Sequence, residues 1–224
     1  LHVFAGVRNA SDGAALQAQS ANAISPVIID VTDTASIAAA VQTISAALGA
    51  YGLNGLVNNA GIAVAGPLEV VPLDEIRRQF EVNVFGQIAV TQAFLPLLRT
   101  ARGRIVNIGS IAGRVALPFI APYSMSKAAL KSMTTSLRLE LDAAGIDVAV
   151  VEPGAIATPI WKKSTAAADA LEQTLQHDTL ALYKDHLDCL RRVTGDAEQH
   201  AIPADAVARA VEHALTAARP RTHY

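Results

Sequence analysis

The residues with the clearest chemical potential are a tyrosine and a lysine four positions apart, Tyr123 and Lys127, in Tyr-Ser-Met-Ser-Lys. On a helix this spacing places both side chains on one face. An ammonium beside a phenol favours the phenolate, so we expect Lys127 to lower the pKa of Tyr123. Such a tyrosine can give a proton to an alkoxide that forms from a carbonyl, or take one from an alcohol. The pair by itself has a simpler interpretation, two surface residues of a helix.

Three further polar sites accompany apolar segments. Ser110 follows an apolar run and precedes Tyr123 by thirteen residues. The small residues of Asn58-Asn59-Ala60-Gly61 follow another apolar run and let backbone come close to a ligand. Asn83 interrupts an apolar helical stretch, and a buried Asn needs hydrogen-bond partners. Asn83 is therefore either a structural bridge or part of a proton relay.

The elements that must position these residues alternate along the chain. Continuous apolar runs predict strands at about 1–6, 26–31, 54–58, 103–109 and 146–152, with helices at about 11–20, 34–49, 73–100 and 121–144. Strands without polar alternation are typical of a parallel sheet covered on both faces. The alternation of strand and helix predicts a doubly wound α/β fold, Rossmann-like, as one domain over 1–224.

The pattern changes after Thr158. Residues 160–193 have helical spacing, and no strand follows them directly. The region of about 159–200 is either a helical cap packed on the sheet or a mobile lid over a substrate pocket, and both interpretations stay open. The side chains that would line this pocket are apolar: Val115, Leu117, Pro118, Phe119, Ile160 and Trp161.

Composition excludes several classes of protein. The net charge of −2 without a basic stretch disfavours nucleic acid as a partner. The apolar runs are too short for a membrane span. We also expect no metal site. The single cysteine, Cys189, allows no internal disulfide, which fits a cytoplasmic protein.

Taken together, the motifs resemble those of the main single-domain branch of the short-chain dehydrogenase/reductase family. Their order and separations also match, including 27 residues between Asn83 and Ser110. The motifs that carry the resemblance are Asn58-Asn59-Ala60-Gly61, Asn83, Ser110, Tyr123 with Lys127, and Pro153-Gly154-Ala155-Ile156-Ala157-Thr158.

The resemblance implies roles for the catalytic set. Tyr123 would be the general acid/base, and Lys127 would lower its pKa and hold the nicotinamide ribose. Ser110 would hydrogen-bond the substrate oxygen. Asn83 would hold a water in a relay to Lys127.

The resemblance also implies a nicotinamide dinucleotide site. Thr158 would bind the carboxamide and Pro153-Gly154 would line its pocket. Asn58 and Ala60 would touch the ribose on the adenosine side, and Asp30-Val31 the adenine. The expected cofactor residues are Arg8, Asp30, Val31, Asn58, Ala60, Gly61, Tyr123, Lys127, Pro153, Gly154, Ile156 and Thr158.

The ends of the chain depart from the family pattern. The family opens with a strand, a Gly-rich turn that cradles the pyrophosphate, and a helix, whereas strand 1–6 corresponds to the second family strand. About thirty residues are then absent, and we expect a gap of about 10 Å in the sheet. We also expect the final strand to be absent, because 221–224 stop where it would begin. The fold is expected to be truncated at both ends.

The cofactor choice depends on the end of the first strand. A carboxylate there holds the ribose 2′-OH of NAD, whereas an Arg accommodates the 2′-phosphate of NADP. The segment Ala5-Gly6-Val7-Arg8-Asn9 has no acid, so Arg8 predicts NADP(H).

Two functional hypotheses follow. The first is an NADP(H)-dependent oxidoreductase that interconverts an apolar ketone or aldehyde and its alcohol, as in the steroid- and retinol-dehydrogenase-like subgroup that the chain resembles. The second is a truncated, inactive relative that acts as a binding protein. For the first, we expect a homo-dimer or tetramer through helices 73–100 and 121–144, because Phe80, Val84, Ile88 and Thr91 form an apolar stripe.

Overall fold

Five parallel strands form the sheet in two pieces. The computed structural model describes residues 1–20, 22–173 and 177–224, with only the backbone of 161–164 and 167. Strand β1 (Val3–Val7) pairs with β2 (Ile24–Ile28), and β3 (Gly55–Asn58), β4 (Arg104–Ile108) and β5 (Asp147–Val151) follow in that order. Within the described ranges β1 and β3 do not pair with each other, so the expected interruption of the sheet lies between them. All three pairings are parallel, as predicted.

The last residues differ from the expectation that the final strand is absent. Val150 donates its amide to the Thr222 carbonyl at 3.0 Å, and Tyr224 donates back to the Val150 carbonyl at 3.0 Å. The Glu152 amide donates to the Tyr224 carbonyl. Residues 222–224 therefore begin a strand parallel to β5. The open edge of β5 offers unpaired backbone groups that an extended segment satisfies.

Eight α-helices are described between the strands. Their bounds are α1 Ala10–Gln19, α2 Thr34–Leu48, α3 Leu73–Phe80, α4 Gly86–Ala101, α5 Ala121–Leu141, α6 Ile160–Glu172, α7 His177–Gln199 and α8 Asp205–Thr216. Strand β2 ends earlier than predicted, and Asp30 and Val31 lie in the following loop. The reason is a local turn: the Asp30 carboxylate accepts from the Thr32 amide, and Asp33 caps α2 by accepting from Ala35.

The predicted helix 73–100 consists of three parts. Helix α3 passes into a π-helical turn, Glu81–Phe85, and then into α4. One wider turn of this kind displaces the backbone by an extra residue and is frequent at functional sites. Asn83, the polar residue of this stretch, lies inside the π-turn and is fully buried.

Helices α2 and α4 hold the two pieces of the sheet together. Buried side chains of both helices form one cluster with Val27 of β2: Ile37, Ala40, Ile44, Val90 and Phe94. Phe4 of β1 and Leu56 of β3 pack against this same cluster. Strands β4 and β5 contribute to two further clusters, one with α4 and Leu141 of α5, the other with α8. The strand ends near Ser110 and Pro153 are therefore fixed by a packed core on both faces.

Candidate active site

Ser110 and Pro153 lie side by side because they follow neighbouring parallel strands. Ser110 comes two residues after β4, and its Oγ accepts from the Ala112 amide at 3.2 Å, which caps the 3₁₀ turn Ile111–Gly113. The Ile111 amide donates to the Pro153 carbonyl at 3.0 Å. This edge is where a doubly wound sheet carries its ligands.

Tyr123 and Lys127 approach Ser110 from the first two turns of α5. The Lys127 ammonium lies 5.7 Å from the centroid of the Tyr123 ring. The Ser110 hydroxyl lies near enough to the Tyr123 hydroxyl to lower the pKa of Tyr123. Lys127 is 4% exposed, and its Nζ donates to the Ile108 carbonyl at 2.7 Å. The structure thus brings together Ser110, Tyr123 and Lys127, as the sequence predicts.

The pKa of Tyr123 does not follow the expected direction. Burial raises it above its ordinary value, and the Ser110 hydroxyl opposes this only in part. Burial also lowers the pKa of Lys127 to about 8. The pKa of Tyr123 therefore lies above its ordinary value, opposite to the expected net direction, because burial outweighs the effects that lower it. The physical reason is that the ammonium bonds to Ile108 and lies beside the ring, while both groups lose solvation.

Asn83 acts as a bridge between two segments. Its Oδ1 accepts from the Ile62 amide at 2.9 Å, and its Nδ2 donates to the Ile62 carbonyl at 3.0 Å. The same Nδ2 donates to Ser126 Oγ at 3.1 Å, and Ser126 donates to the Tyr123 carbonyl at 2.7 Å. The side chain therefore ties the loop after β3 to the start of α5. A relay through Asn83 stays a prediction, and it would use backbone rather than this occupied amide.

Two glutamines that sequence reasoning missed support Asn83. The Gln79 Oε1 accepts from the Val64 amide at 2.7 Å, and its Nε2 donates to the Ile62 carbonyl at 2.6 Å. The Gln87 Nε2 donates to the Ala60 carbonyl at 2.8 Å. Both are buried. The sequence could have identified these glutamines by their spacing. Gln79, Asn83 and Gln87 recur every four residues on an otherwise apolar face.

The side chain of Asn58 faces the interior. Its Nδ2 donates to Thr91 Oγ1 at 2.9 Å and to Asn107 Oδ1 at 2.8 Å. Asn107 in turn donates to Thr134 Oγ1 at 2.8 Å. All four residues are buried, so this chain of bonds links β3 and β4 to α4 and α5. Any contact of Asn58 with a ribose would have to come from its backbone.

The loops after β3 and β2 place the remaining expected residues near the same edge. A Cβ built on Gly61 would lie 3.5 Å from Asn83 Oδ1 and 3.8 Å from Lys127 Nζ, so Gly61 lies directly beside both residues. Val31 packs on the start of α4, where a Cβ on Gly86 would meet it at 2.8 Å.

Arg8 and Asp30 lie in the segments that follow the neighbouring parallel strands β1 and β2. Hydrogen bonds from the Thr32 side chain and backbone lower the pKa of Asp30, burial opposes them, and the charge of Arg8 lowers it further. Arg8 itself is exposed. An exposed guanidinium at this place is suited to a phosphate.

The segment 153–158 connects β5 to α6. Gly154 is exposed, with no atom within 4 Å of a Cβ built on it. Ile156 is buried and forms an isolated parallel bridge with Ile202. Thr158 is half-buried, two residues before α6.

The residues present fit a nicotinamide dinucleotide on its ribose and nicotinamide side. A buried ammonium with one carbonyl acceptor among the described contacts retains N–H groups that can bind ribose hydroxyls. The open space at Gly154 would admit a flat ring close to the backbone. Arg8 supplies a cation after β1, in the two-stranded piece of the sheet.

Helices α6 and α7 cover a cavity of about 390 Å³ beside this edge. Its wall is apolar on one part and charged on another. The apolar part includes Ala65, Pro67, Ile120, Leu187 and Leu190, and the charged part consists of Asp169, Glu172, Arg191 and Glu198. The described lining reaches Ile120, three positions before Tyr123. The side chain of Trp161 lies outside the described residues.

Phe119 and Tyr183 join the helices to the site. Their rings meet edge to face with centroids 6.1 Å apart, and the Tyr183 hydroxyl donates to Glu69. Phe119 has a left-handed backbone (φ 66°), and its carbonyl accepts from the Gly66 amide at 2.7 Å. An apolar side chain in that conformation is strained, and such strain clusters at ligand sites.

The described ranges contain neither a candidate membrane span nor a candidate metal site. No helix there has the length and hydropathy of a membrane span. The same part of the chain holds no group of three or more His, Cys, Asp or Glu side chains arranged for a metal ion.

Comparison with known proteins identifies the family. The family model described as short chain dehydrogenase matches residues 1–169. The NADPH-dependent 3-dehydrocapnine reductase of Ornithobacterium rhinotracheale is 34% identical over 229 residues, which cover 100% of this chain and 78% of that protein. The bovine (Bos taurus) 17-beta-hydroxysteroid dehydrogenase type 6 is 37% identical over 100% of this chain and 72% of its own length.

A solved structure agrees with these sequence matches. The short-chain dehydrogenase of Streptomyces avermitilis superposes with a TM-score of 0.81 at 26% identity, over 100% of this chain and 78% of that one. The Rossmann-like fold is therefore confirmed, and the chain belongs to the short-chain dehydrogenase family.

Proposed function

We propose that this family member is an NADP(H)-dependent oxidoreductase that interconverts an apolar ketone or aldehyde and its alcohol. The observation that carries the proposal is the convergence of Ser110, Tyr123 and Lys127 at the ends of β4 and β5. A cluster of this kind has no structural necessity, because burying a lysine without a carboxylate costs free energy.

The proton chemistry falls to Tyr123. Since burial raises its pKa, the phenol stays protonated at neutral pH and can donate to the oxygen of a carbonyl that is being reduced. Ser110 orients that oxygen through its hydroxyl. In the reverse direction Tyr123 must lose a proton, and charged Lys127 favours the phenolate that results.

The cofactor supplies the hydride when bound. Lys127 would hold the nicotinamide ribose, and Pro153, Gly154, Ile156 and Thr158 would line the nicotinamide pocket. Asn83 would act in a proton relay to Lys127 through its backbone carbonyl in the π-turn.

The adenosine end of the cofactor would lie across the ends of β1 to β3. Asp30 and Val31 would contact the adenine. Asn58, Ala60 and Gly61 would contact the adjoining ribose through their backbone. The preference for NADP(H) rests on exposed Arg8 and on the NADPH dependence in the name of the reductase from O. rhinotracheale.

The substrate class rests on the apolar part of the cavity between α6 and α7. We propose that the region 159–200, which contains these helices, is a lid. A relative named a hydroxysteroid dehydrogenase also favours a lipophilic alcohol or ketone. The alternative, an inactive binding protein, gains nothing from the comparisons, which are with reductases and dehydrogenases.

Assembly and location are proposals as well. We propose a homo-dimer or tetramer through α3–α4 and α5. Within the protomer Val84 and Thr91 are already buried, whereas Phe80 and Ile88 are half-buried and Phe85 is exposed. We propose a cytoplasmic protein on the basis of its lone Cys189.

The test is consumption of NADPH with a panel of apolar ketones and aldehydes, comparing wild type with Tyr123→Phe. Removing the proton donor should lower kcat by about 10²-fold or more. The control is Tyr51→Phe, which changes an exposed tyrosine remote from the cluster. Equal turnover in wild type and Tyr123→Phe would overturn the mechanism.

A further inference from the structure

Arg114 and Glu152 form a two-point ion pair next to the catalytic cluster. Arg114 Nε donates to Glu152 Oε1 at 2.9 Å, and its Nη2 donates to Oε2. Two parallel bonds between a guanidinium and a carboxylate set their relative orientation as well as their distance. Arg114 directly follows the 3₁₀ turn that Ser110 caps, and Glu152 directly precedes Pro153.

The burial of the pair is asymmetric. The Glu152 side chain is 4% exposed and that of Arg114 is 48% exposed, so the guanidinium covers a carboxylate set into the protein. The hydrogen bond with Arg114 holds the pKa of Glu152 below its ordinary value against the effect of burial, and the charges of Arg114, Lys131 and His223 add to it. A nearly buried carboxylate without its partner is unfavourable, so Glu152 holds Arg114 in place.

The segments that the ion pair joins are tightly packed against each other. The Gly109 amide donates to the Val151 carbonyl at 2.7 Å, and a Cβ on Gly109 would lie 3.1 Å from Glu152 Cγ. A Cβ on Gly113 would lie 2.9 Å from the Lys127 carbonyl. The turn between Ser110 and Arg114 is thus held between the end of β5 and the backbone of the catalytic lysine.

We infer that Arg114 and Glu152 are positioning residues that set the place of the Ser110 hydroxyl relative to Tyr123 and to the Pro153-Gly154 turn. The inference rests on the proposed function, in which Ser110 orients the substrate oxygen. The pair acts through the turn and not by contact with the reacting atoms. Small displacements of an orienting group are costly in turnover, because the reacting atoms must already lie close and aligned.

The kinetic test uses Glu152→Gln, Arg114→Lys and the double variant. Glu152→Gln keeps the size of the side chain and loses its charge, whereas Arg114→Lys keeps the charge and loses the paired geometry. Each single change should lower kcat by roughly tenfold to a hundredfold, with the Kd of NADPH within about threefold of wild type. The double variant should lose no more than the worse single, since both act through one contact.

A matched control is the exposed pair of the same residue types on α3, Arg78 and Glu75. Arg78→Lys and Glu75→Gln should leave kcat unchanged. Losses that add in the double variant at Arg114 and Glu152, or a kcat equal to wild type in both single variants, would overturn the inference.

Hydrogen exchange at the Gly109 and Ile111 amides gives a readout that needs no activity. Both amides bond across to the end of β5, so their exchange should become faster in Glu152→Gln and not in Glu75→Gln. A wild type inactive toward every carbonyl would refute the proposed function alone, and the exchange would still decide this inference. If Glu152→Gln fails to fold, Arg114→Lys carries the same measurement, and unchanged exchange in it overturns the inference.

Discussion

The side-chain amide of Asn83 pairs with both backbone groups of Ile62, accepting from its N–H at 2.9 Å and donating to its carbonyl at 3.0 Å. An amide side chain that forms both bonds in this way takes the place of a peptide group from a neighbouring strand. These two bonds fix the loop after β3 against the π-turn. The bond from the same amide to Ser126 connects the π-turn to α5.

Replacing Asn83 should therefore destabilise the protein. Asn83→Ala removes this partner from the half-buried N–H and carbonyl of Ile62, and only the carbonyl keeps another bond, from Gln79. The loss should cost about 1–3 kcal/mol of unfolding free energy. Urea denaturation measures the loss. Gln92→Ala, an exposed change on the same helical stretch, should stay within about 0.5 kcal/mol of wild type. A loss at Asn83 no greater than that of the control would contradict the bridge.

The depressed pKa of Lys127 predicts a pH dependence of stability. Because the pKa is about 8 in the folded protein and ordinarily 10.5, the unfolded chain binds more protons between these values. Stability must then rise with pH in this window. Between pH values of about 8 and 9.5 the gain should be about 1–2 kcal/mol in wild type and absent in Lys127→Met. Both points lie below the raised pKa of Tyr123.

The control for this measurement is Lys184→Met, at an exposed lysine of α7. It should keep the gain of wild type. If Lys127→Met gains stability with pH as much as Lys184→Met does, the burial of Lys127 does not govern its titration.

Arg8 should discriminate between the two dinucleotides. Arg8→Ala removes charge-assisted hydrogen bonds to a 2′-phosphate, so the Kd of NADPH should rise by roughly 10- to 100-fold. The Kd of NADH should change little. Arg209→Ala on α8, another exposed arginine, is the control and should affect neither. Equal losses for NADPH and NADH in a calorimetric titration would refute the assignment.

Self-association should depend on apolar side chains of α5. Leu139 on α5 is 74% exposed in the protomer, so Leu139→Lys should shift the assembly toward monomer. Leu182 on α7 is 71% exposed and serves as the matched control, since Leu182→Lys should leave the assembly intact. Light scattering at micromolar concentration measures both. Wild type that is monomeric there would exclude the proposed interface.

Much of the site could be predicted because it is local. Tyr123 and Lys127 share a helix face by spacing alone, and Ser110 lies at the carboxyl end of its strand because parallel strands end at one edge. The final strand was missed because three residues carry no periodicity, and only the edge of β5 makes Thr222–Tyr224 extended.

The sequence by itself determined which groups are present, the alternation that builds a parallel sheet, and the side of the sheet on which the chemistry lies. The tertiary structure decided where each side chain points and how its surroundings shift the pKa of each titratable group. Asn58 faces Thr91 and Asn107 because partners on other elements accept its amide. The pKa of Tyr123 rises rather than falls because its solvation depends on everything packed around it, which the spacing to Lys127 does not contain.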